Sequence, residues 1–172
     1  MPNRQSMDIK QDIRALIFDW GDTVMRDFPE KPGPMCSWDK VEWIPGMESV
    51  LSKVYHEYVM VIATNAGASN TQNMIDALKR VGADTYFHHF FSSKDLGYEK
   101  PDTRFFILIS KSIGIPPEKC LMVGNIYEKD IIGAKDCGMK TVFFNETMLT
   151  GPFPKADHII NKMADLLGII SR

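Results

Sequence analysis

Polar side chains follow three short apolar runs of the chain, each at the point where the run ends. They are Asp19, the pair Thr64 and Asn65, and Asn125, which follow residues 15–18, 59–63 and 120–123. A carboxylate such as Asp19 can attack phosphorus and form an acyl phosphate, which divides one difficult hydrolysis into two easier steps. A short hydroxyl such as that of Thr64 can donate a hydrogen bond to a phosphate oxygen. These residue types therefore predict phosphoryl transfer.

A carboxylate that attacks a phosphate needs positive charge nearby, because two anions repel each other. Magnesium prefers oxygen ligands from one or two carboxylates, together with phosphate and water. Asp19, the backbone carbonyl of Gly21 and the side chain of Asn125 can supply such oxygens. Lys100 precedes a predicted helix and can neutralise the charge that develops on the phosphate. We therefore expect Mg²⁺ as the cofactor.

The elements that must position these groups alternate along the chain. Unbroken apolar runs are typical of strands buried on both faces; they predict strands at 15–18, 59–63, 120–123 and 141–144, with weaker candidates at 86–91 and 157–160. Amphipathic patterns predict helices at 47–55, 70–81, 102–113, 130–137 and 162–167. This alternation predicts an α/β fold, a doubly wound Rossmann-like parallel sheet with helices on both faces. Ligands of such sheets sit beyond the carboxyl ends of the strands, so the polar groups converge if their strands are neighbours.

The composition excludes several functional classes. The 172 residues carry 20 lysines and arginines against 22 aspartates and glutamates, a net charge of −2, with no basic face of the kind that binds nucleic acid. No apolar stretch approaches the roughly 20 residues of a membrane helix, and residues 1–12 contain no apolar signal core. Three cysteines without CxxC spacing disfavour a zinc site and a disulfide framework. We expect a cytoplasmic protein.

We predict one domain over residues 1–172. Within it, residues 1–12 are expected to be disordered, as chain termini often are. Residues 26–45 contain a cluster of proline and glycine, which marks an irregular loop. This segment is interpreted as a small loop insertion or a lid.

Four segments together resemble the motifs of the haloacid dehalogenase-like (HAD) hydrolase superfamily. They are Ile-Phe-Asp-Trp-Gly-Asp-Thr-Val at 17–24, Val-Ile-Ala-Thr-Asn at 61–65, Glu-Lys-Pro-Asp-Thr-Arg-Phe-Phe at 99–106, and Met-Val-Gly-Asn at 122–125 with Asp130. The resemblance implies a magnesium-dependent phosphatase in which Asp19 is the nucleophile. It implies that Thr64, Asn65 and Lys100 bind the phosphate, Thr64 and Lys100 also serving catalysis. It implies a metal held by Asp19, Gly21, Asn125 and Asp130.

Two positions depart from the family pattern. The first motif of the family usually reads Asp-x-Asp-Gly-Thr, and its second aspartate serves as general acid and base; here that position is Gly21, followed by Asp22. A glycine carbonyl can hold a metal but cannot transfer a proton, a step that contributes on the order of 10²–10⁴-fold. Asn125 stands where the family usually has a metal-binding aspartate, so Asp130 would have to compensate, directly or through water. Asp22 is expected to brace the turn.

The stretches between the motifs are too short for a full cap domain, so the chain resembles the capless members of the family. The open sites of such members often accept large substrates, and some are covered by oligomerisation. The expected substrate is therefore a phosphorylated small molecule or a macromolecular phosphoester, and a homo-oligomer is one way of covering the site.

Two other functions stay open at this point. Gly21 and Asn125 favour a catalytically weak or inactive module that binds phosphate for regulation. Alternatively, Asp-Trp-Gly-Asp-Thr is similar to the Asp-Trp-Ala-Gly-Thr of phosphonate hydrolases, which cleave a carbon–phosphorus bond with the help of a cap lysine that forms an imine. Lys31 and Lys40 are the only lysines in the short insertion.

Overall fold

The computed structural model describes residues 12–171. Its strands are β1 (Ala15–Phe18), β2 (Val59–Thr64), β3 (His89–Ser92), β4 (Cys120–Gly124), β5 (Lys140–Phe144) and β6 (His158–Ile160). All pair in parallel in the order β3-β2-β1-β4-β5-β6. This confirms the doubly wound α/β fold. The disorder predicted for residues 1–12 lies, apart from Asp12, outside the described residues.

Six helices lie entirely within the described residues: α1 (Met47–Val54), α2 (Thr71–Val81), α3 (Ser93–Leu96), α4 (Thr103–Ile113), α5 (Ile132–Asp136) and α6 (Leu166–Ile170). Side chains cap the starts of two of these helices. Asn70 accepts a hydrogen bond from the Asn73 backbone N–H and caps α2, and Asp102 accepts one from the Arg104 N–H and caps α4. Within residues 12–171, no helix is both long and apolar enough to cross a bilayer.

The two faces of the sheet carry separate cores. Leu16 and Phe18 of β1 pack into a core shared with α1, α2 and α6, whereas Ala15 and Ile17 pack into a core shared with α4 and α5. This split follows from the period of two along a strand, which sends alternate side chains to opposite faces. All four side chains are fully buried, which explains why β1 reads as an unbroken apolar run.

Three predicted boundaries were wrong. The weak strand at 86–91 begins only at His89, because residues Asp84–Tyr86 form a 3₁₀ turn whose Tyr86 ring packs against Tyr55 and Trp43. The helix predicted at 130–137 begins instead as a π-helical turn at Tyr127–Ile131 and continues as α5. The helix predicted at 162–167 is a 3₁₀ turn followed by α6, which extends further because Ile170 also packs into the core.

Two glycines in short helices give opposite predictions. A Cβ added to Gly133 in α5 would lie 2.0 Å from Pro101 O and 2.8 Å from Phe106 Cε2, whereas one added to Gly168 in α6 would meet nothing within 4 Å. We expect Gly133→Ala to cost about 3 kcal/mol of unfolding free energy, because the clash involves backbone that must move. Gly168→Ala, the matched control, should add about 0.5–1 kcal/mol through helix propensity. Urea denaturation measures both; equal stabilities would contradict the close packing of α5.

Candidate active site

The sheet order places the predicted site residues at one edge. Strand β1 lies between β2 and β4, so the residues after all three strands are neighbours. Asp19 follows β1 and its backbone N–H donates to Val123 O of β4 at 3.0 Å, while Thr64 ends β2 and Asn125 follows β4. The convergence expected from the sequence is therefore present.

Lys100 joins two carboxylates beneath this edge. Its Nζ donates to Asp19 Oδ1 at 2.7 Å, to Asp130 Oδ1 at 2.7 Å and to Ala63 O at 3.0 Å. Lys100 is 3% exposed and Asp130 is 1% exposed, so the ion pairs are shielded from solvent. The second oxygen of Asp130 accepts the Ile126 N–H at 2.9 Å. Lys100 is thus fixed with its charge directed at the predicted nucleophile.

Burial and charge shape the protonation of this cluster. Burial lowers the pKa of Lys100, but the charges of Asp130 and Asp19 more than offset this, so the pKa is raised and the ammonium stays protonated. Burial, followed by the charge of Asp19, raises the pKa of Asp130 to about 6 despite the lysine. The Lys100 ammonium therefore remains the positive charge of the cluster. The Asp130 carboxyl takes up a proton at a higher pH than an exposed aspartate does.

The other oxygen of Asp19 faces a group of oxygen atoms. The Asn125 amide lies 3.1 Å from Asp19 Oδ2, 3.2 Å from Gly21 O and 3.2 Å from Thr23 Oγ1. With its nitrogen on this side, the amide donates hydrogen bonds to these oxygens. With its oxygen on this side, it completes a set of oxygen donors that repel one another unless a cation lies between them.

This donor set fits magnesium. One carboxylate, one backbone carbonyl and one amide oxygen leave room for water and phosphate, which is how proteins usually hold Mg²⁺. Within residues 12–171, no group of three or more histidines, cysteines, aspartates or glutamates is placed to hold a metal, so a cation here would depend on the neutral oxygens of Gly21 and Asn125. Asp130 is joined to Asp19 through Lys100, and its predicted part in metal binding stays a prediction.

Thr64 and Asn65 differ in what holds them. Thr64 is 9% exposed and lines a cavity at this edge, and its hydroxyl donates to Asn65 O at 3.2 Å. The Asn65 amide bonds the backbone of Lys100 twice: its Oδ1 accepts from Lys100 N at 2.8 Å and its Nδ2 donates to Lys100 O at 3.0 Å. Asn65 therefore positions Lys100, and its predicted contact with phosphate stays a prediction.

Asp22 braces the turn after β1. Its φ of 55° lies in the left-handed region, and its Oδ1 accepts the Asp27 N–H at 3.1 Å and a hydrogen bond from Arg26 at 3.3 Å. Arg26 also forms a bidentate pair with Glu146 at 2.7 and 2.8 Å, which lowers the pKa of the Glu146 carboxyl. Asp22 lines a second, small cleft together with Arg26, Glu146 and Asn125.

A cavity of about 230 Å³ opens above this edge of the sheet. Its lining residues come from the turn after β1, the segment after β2 and the predicted loop insertion; they are Trp20, Gly21, Asp27, Gly33, Met35, Trp38 and Thr64–Ser69. The insertion is docked against the protein, because Arg80 Nη1 donates to Trp38 O at 2.5 Å and to Cys36 O at 3.3 Å. The segment thus forms one wall of the cavity.

Sequence reasoning missed Asp27. A Cβ added to Gly21 would lie 3.4 Å from Asp27 Cβ and 3.7 Å from Asp27 Oδ2, so this carboxylate stands beside the position that lacks a side chain. Asp27 is an exposed residue, but partial desolvation of its carboxyl, followed by the charge of Asp22, raises the pKa of Asp27. The only signal in the sequence was the glycine at position 21, which removes one carboxylate without indicating where another lies.

Neither lysine of the insertion reaches the cavity. Lys31 pairs with Asp39 and lies over the Phe28 ring, and Lys40 pairs with Glu42. Both lysines are absent from the described cavity lining. The imine-forming lysine that phosphonate cleavage requires therefore has no candidate within this wall.

Comparison with known proteins agrees with the motif pattern. A glyceraldehyde 3-phosphate phosphatase of Pyrococcus furiosus is 30% identical over 138 residues, which cover 75% of this chain and 55% of that protein. A ribulose-1,5-bisphosphate 5-phosphatase of Halopiger xanaduensis is 27% identical over 143 residues, which cover 77% of this chain and 59% of that protein. The chain thus spans little more than half the length of these curated relatives.

The fold agrees as well. The magnesium-bound HAD-hydrolase YfnB from Bacillus subtilis superposes with a TM-score of 0.79 at 18% identity, covering 94% of this chain and 100% of that one. At that identity the likeness shows the fold alone. Residues 11–144, most of the chain, match the family model of haloacid dehalogenase-like hydrolases. Because this match contains all four motifs and the structure brings them to one edge of the sheet, the chain belongs to the haloacid dehalogenase-like hydrolase family.

Proposed function

We propose that this protein hydrolyses phosphate monoesters of small molecules through an aspartyl phosphate on Asp19. The observation that carries the proposal is that the two oxygens of the Asp19 carboxylate have different neighbours. Its Oδ1 contacts the Lys100 ammonium at 2.7 Å, and its Oδ2 faces the oxygen group of Gly21 and Asn125. A phosphate beside Asp19 would meet a fixed positive charge and a set of metal ligands, which is what an anionic transition state requires.

Each site residue receives a role in this proposal. Asp19 attacks phosphorus, Lys100 neutralises charge on the phosphoryl oxygens and Thr64 donates a hydrogen bond to one of them. Asp19, Gly21 and Asn125 would hold Mg²⁺, which supplies charge that lets two anions approach. Magnesium bound to a HAD-hydrolase of the same fold and phosphatases among the relatives support these assignments. Asp130 and Asn65 orient Lys100.

The cavity favours a small, neutral leaving group. Its volume of about 230 Å³ is below the range of roughly 300–1,000 Å³ that is usual for drug-sized ligands. Trp20, Met35 and Trp38 supply apolar walls, and the described lining contains no lysine or arginine that would bind a second phosphate. We therefore propose a capless core domain whose docked insertion admits small phosphomonoesters and selects against bisphosphates and macromolecules.

The free thiols of Cys36, Cys120 and Cys137 fit a reducing compartment such as the cytoplasm.

Turnover by the purified protein tests the proposal. The panel contains glycerol phosphate, a triose phosphate, a nucleoside monophosphate, a sugar bisphosphate and p-nitrophenyl phosphate. We expect hydrolysis that requires Mg²⁺, stops with excess EDTA and is slowest for the bisphosphate. Phosphate and magnesium binding by calorimetry without turnover of any ester would contradict hydrolysis and indicate the regulatory module instead.

A further inference from the structure

The proposed reaction needs a proton donor that the sequence motif does not supply. Breaking the P–O bond of an ester of an alkyl alcohol leaves an alkoxide unless a proton arrives, and the later attack by water requires that a proton leave. Position 21, two residues after Asp19, is a glycine and has no side chain to do either. The group that moves the proton must therefore come from elsewhere in the site.

Two carboxylates near Asp19 are already engaged in other contacts, which disfavours both as the proton donor. Asp130 has one oxygen on Lys100 and the other on the Ile126 N–H. Asp22 is held by Arg26 and by the Asp27 N–H, and it lines the small cleft beside Asn125 and not the cavity that Asp27 lines. Neither carboxylate is placed to meet a leaving group in the cavity.

Asp27 differs from both. Of the described side chains that line the cavity, Asp27 carries the only carboxyl group; the others are tryptophan, methionine, threonine, asparagine, serine and small apolar residues. Its Oδ2 lies 3.7 Å from the point where a Gly21 Cβ would stand. The Asp27 carboxylate therefore lies beside position 21, two residues after the proposed nucleophile Asp19.

We propose that Asp27 is the general acid and base of the reaction, which places the missing carboxyl on a different part of the chain. This inference rests on the proposed phosphatase function. In the first step Asp19 forms a bond to phosphorus, the ester P–O bond breaks, and its electron pair takes the proton of the Asp27 carboxylic acid, so that the alcohol leaves. In the second step the Asp27 carboxylate takes a proton from water as the water oxygen bonds to phosphorus. The bond between phosphorus and Asp19 breaks, which regenerates Asp19 and releases inorganic phosphate.

Leaving-group dependence tests Asp27. We expect Asp27→Asn to lower kcat/KM for glycerol phosphate on the order of 10²–10⁴-fold. The loss should be much smaller for p-nitrophenyl phosphate, whose leaving group needs no proton. With that substrate the variant should release a burst of nitrophenol followed by slow turnover, because water attack on the aspartyl phosphate still lacks its base. Glu30→Gln, which changes an exposed acid of the same segment, is the matched control and should behave as wild type.

Moving the carboxylate back to position 21 supplies a second test. Gly21 has no left-handed φ, so a side chain there is not strained by the backbone. Asp27→Ala removes the neighbouring side chain and makes room. We expect Gly21→Asp combined with Asp27→Ala to recover at least about tenfold of the activity lost in Asp27→Ala alone, since a carboxylate again stands in the same space.

The outcomes separate this inference from the phosphatase proposal. Wild-type turnover that depends on magnesium and on Asp19, together with an Asp27→Asn variant as active as wild type, overturns the role of Asp27 alone. An equal loss for both leaving groups without recovery by Gly21→Asp also overturns it and indicates a structural role, which urea denaturation of the variant would reveal. A wild-type protein that hydrolyses none of the esters overturns both.

Discussion

Replacing Asp19 by asparagine is expected to abolish magnesium-dependent ester hydrolysis while leaving the fold intact. Loss of a nucleophile costs on the order of 10⁴-fold or more in kcat, because an amide does not form the acyl phosphate. The amide oxygen can still accept the Lys100 hydrogen bond that Asp19 Oδ1 accepts at 2.7 Å. The buried pair of Lys100 and Asp130 remains, so its charges stay balanced.

Steady-state kinetics and urea denaturation, measured together, check this expectation. The unfolding free energy of Asp19→Asn should lie within about 1 kcal/mol of wild type, since a repulsion between two carboxylates is removed along with one ion pair. Asp165→Asn, a change at an exposed aspartate outside the cavity, is the control for loss of one negative charge. Residual turnover of Asp19→Asn near the wild-type level would show that another group attacks phosphorus.

Replacing Lys100 by methionine is expected to damage both activity and stability. Methionine has a similar volume but leaves the carboxylates of Asp19 and Asp130 facing each other without a cation. Removing one partner of a buried ion pair typically costs about 3–5 kcal/mol, because an uncompensated charge stays buried. We also expect no measurable hydrolysis, since the charge that opposes the phosphate is lost. Lys111→Met, a change at an exposed lysine of α4, is the matched control.

The cost of Lys100→Met should depend on pH. Burial and the charge of Asp19 already raise the pKa of Asp130 to about 6 in the folded protein. A carboxyl with a raised folded-state pKa contributes stability that is lost as pH rises through that pKa, because the folded state must give up its proton. Urea denaturation without added metal should therefore show a larger loss at pH 8 than at pH 5. A loss that is equal at both pH values would contradict a buried carboxylate pair.

The inner strands of the sheet were predictable because strands that are buried on both faces consist of consecutive apolar residues. Every residue of β1 and β4 is buried, so both read as unbroken apolar runs. The edge strand β3 has mostly half-buried residues and β6 has one exposed position, and the predicted start of β3 was correspondingly wrong. The polar groups after β1, β2 and β4 were found together because parallel strands end at one edge, although their adjacency needed the observed strand order.

Asp27 could not be predicted because its place depends on a turn that has no periodic pattern. Asp22 adopts a left-handed φ of 55°, and a bridge between Met25 and Trp43 returns the following segment to the site. The turn is held by local bonds, such as that from the Asp27 N–H to Asp22 Oδ1, and by contacts between residues distant in sequence, such as Arg26 with Glu146. The docking of Asn65 on the Lys100 backbone is likewise a tertiary contact. Motif spacing identified which residues meet, and the side-chain contacts distinguish those that position from those that face the cavity.

The attachment of the cavity wall has a consequence for how this protein can evolve. Arg80 holds the wall through the main-chain carbonyls of Cys36, Trp38 and Asp39 and not through their side chains. Because every residue type offers the same carbonyl, a substitution at Met35, which lines the cavity, can change the shape of the cavity without removing this anchor. Under the proposed function, selectivity can thus diverge by single substitutions while Asp19 and Lys100 stay unaltered. In this fold, the residues that shape the cavity can therefore change independently of the residues proposed to carry out the chemistry.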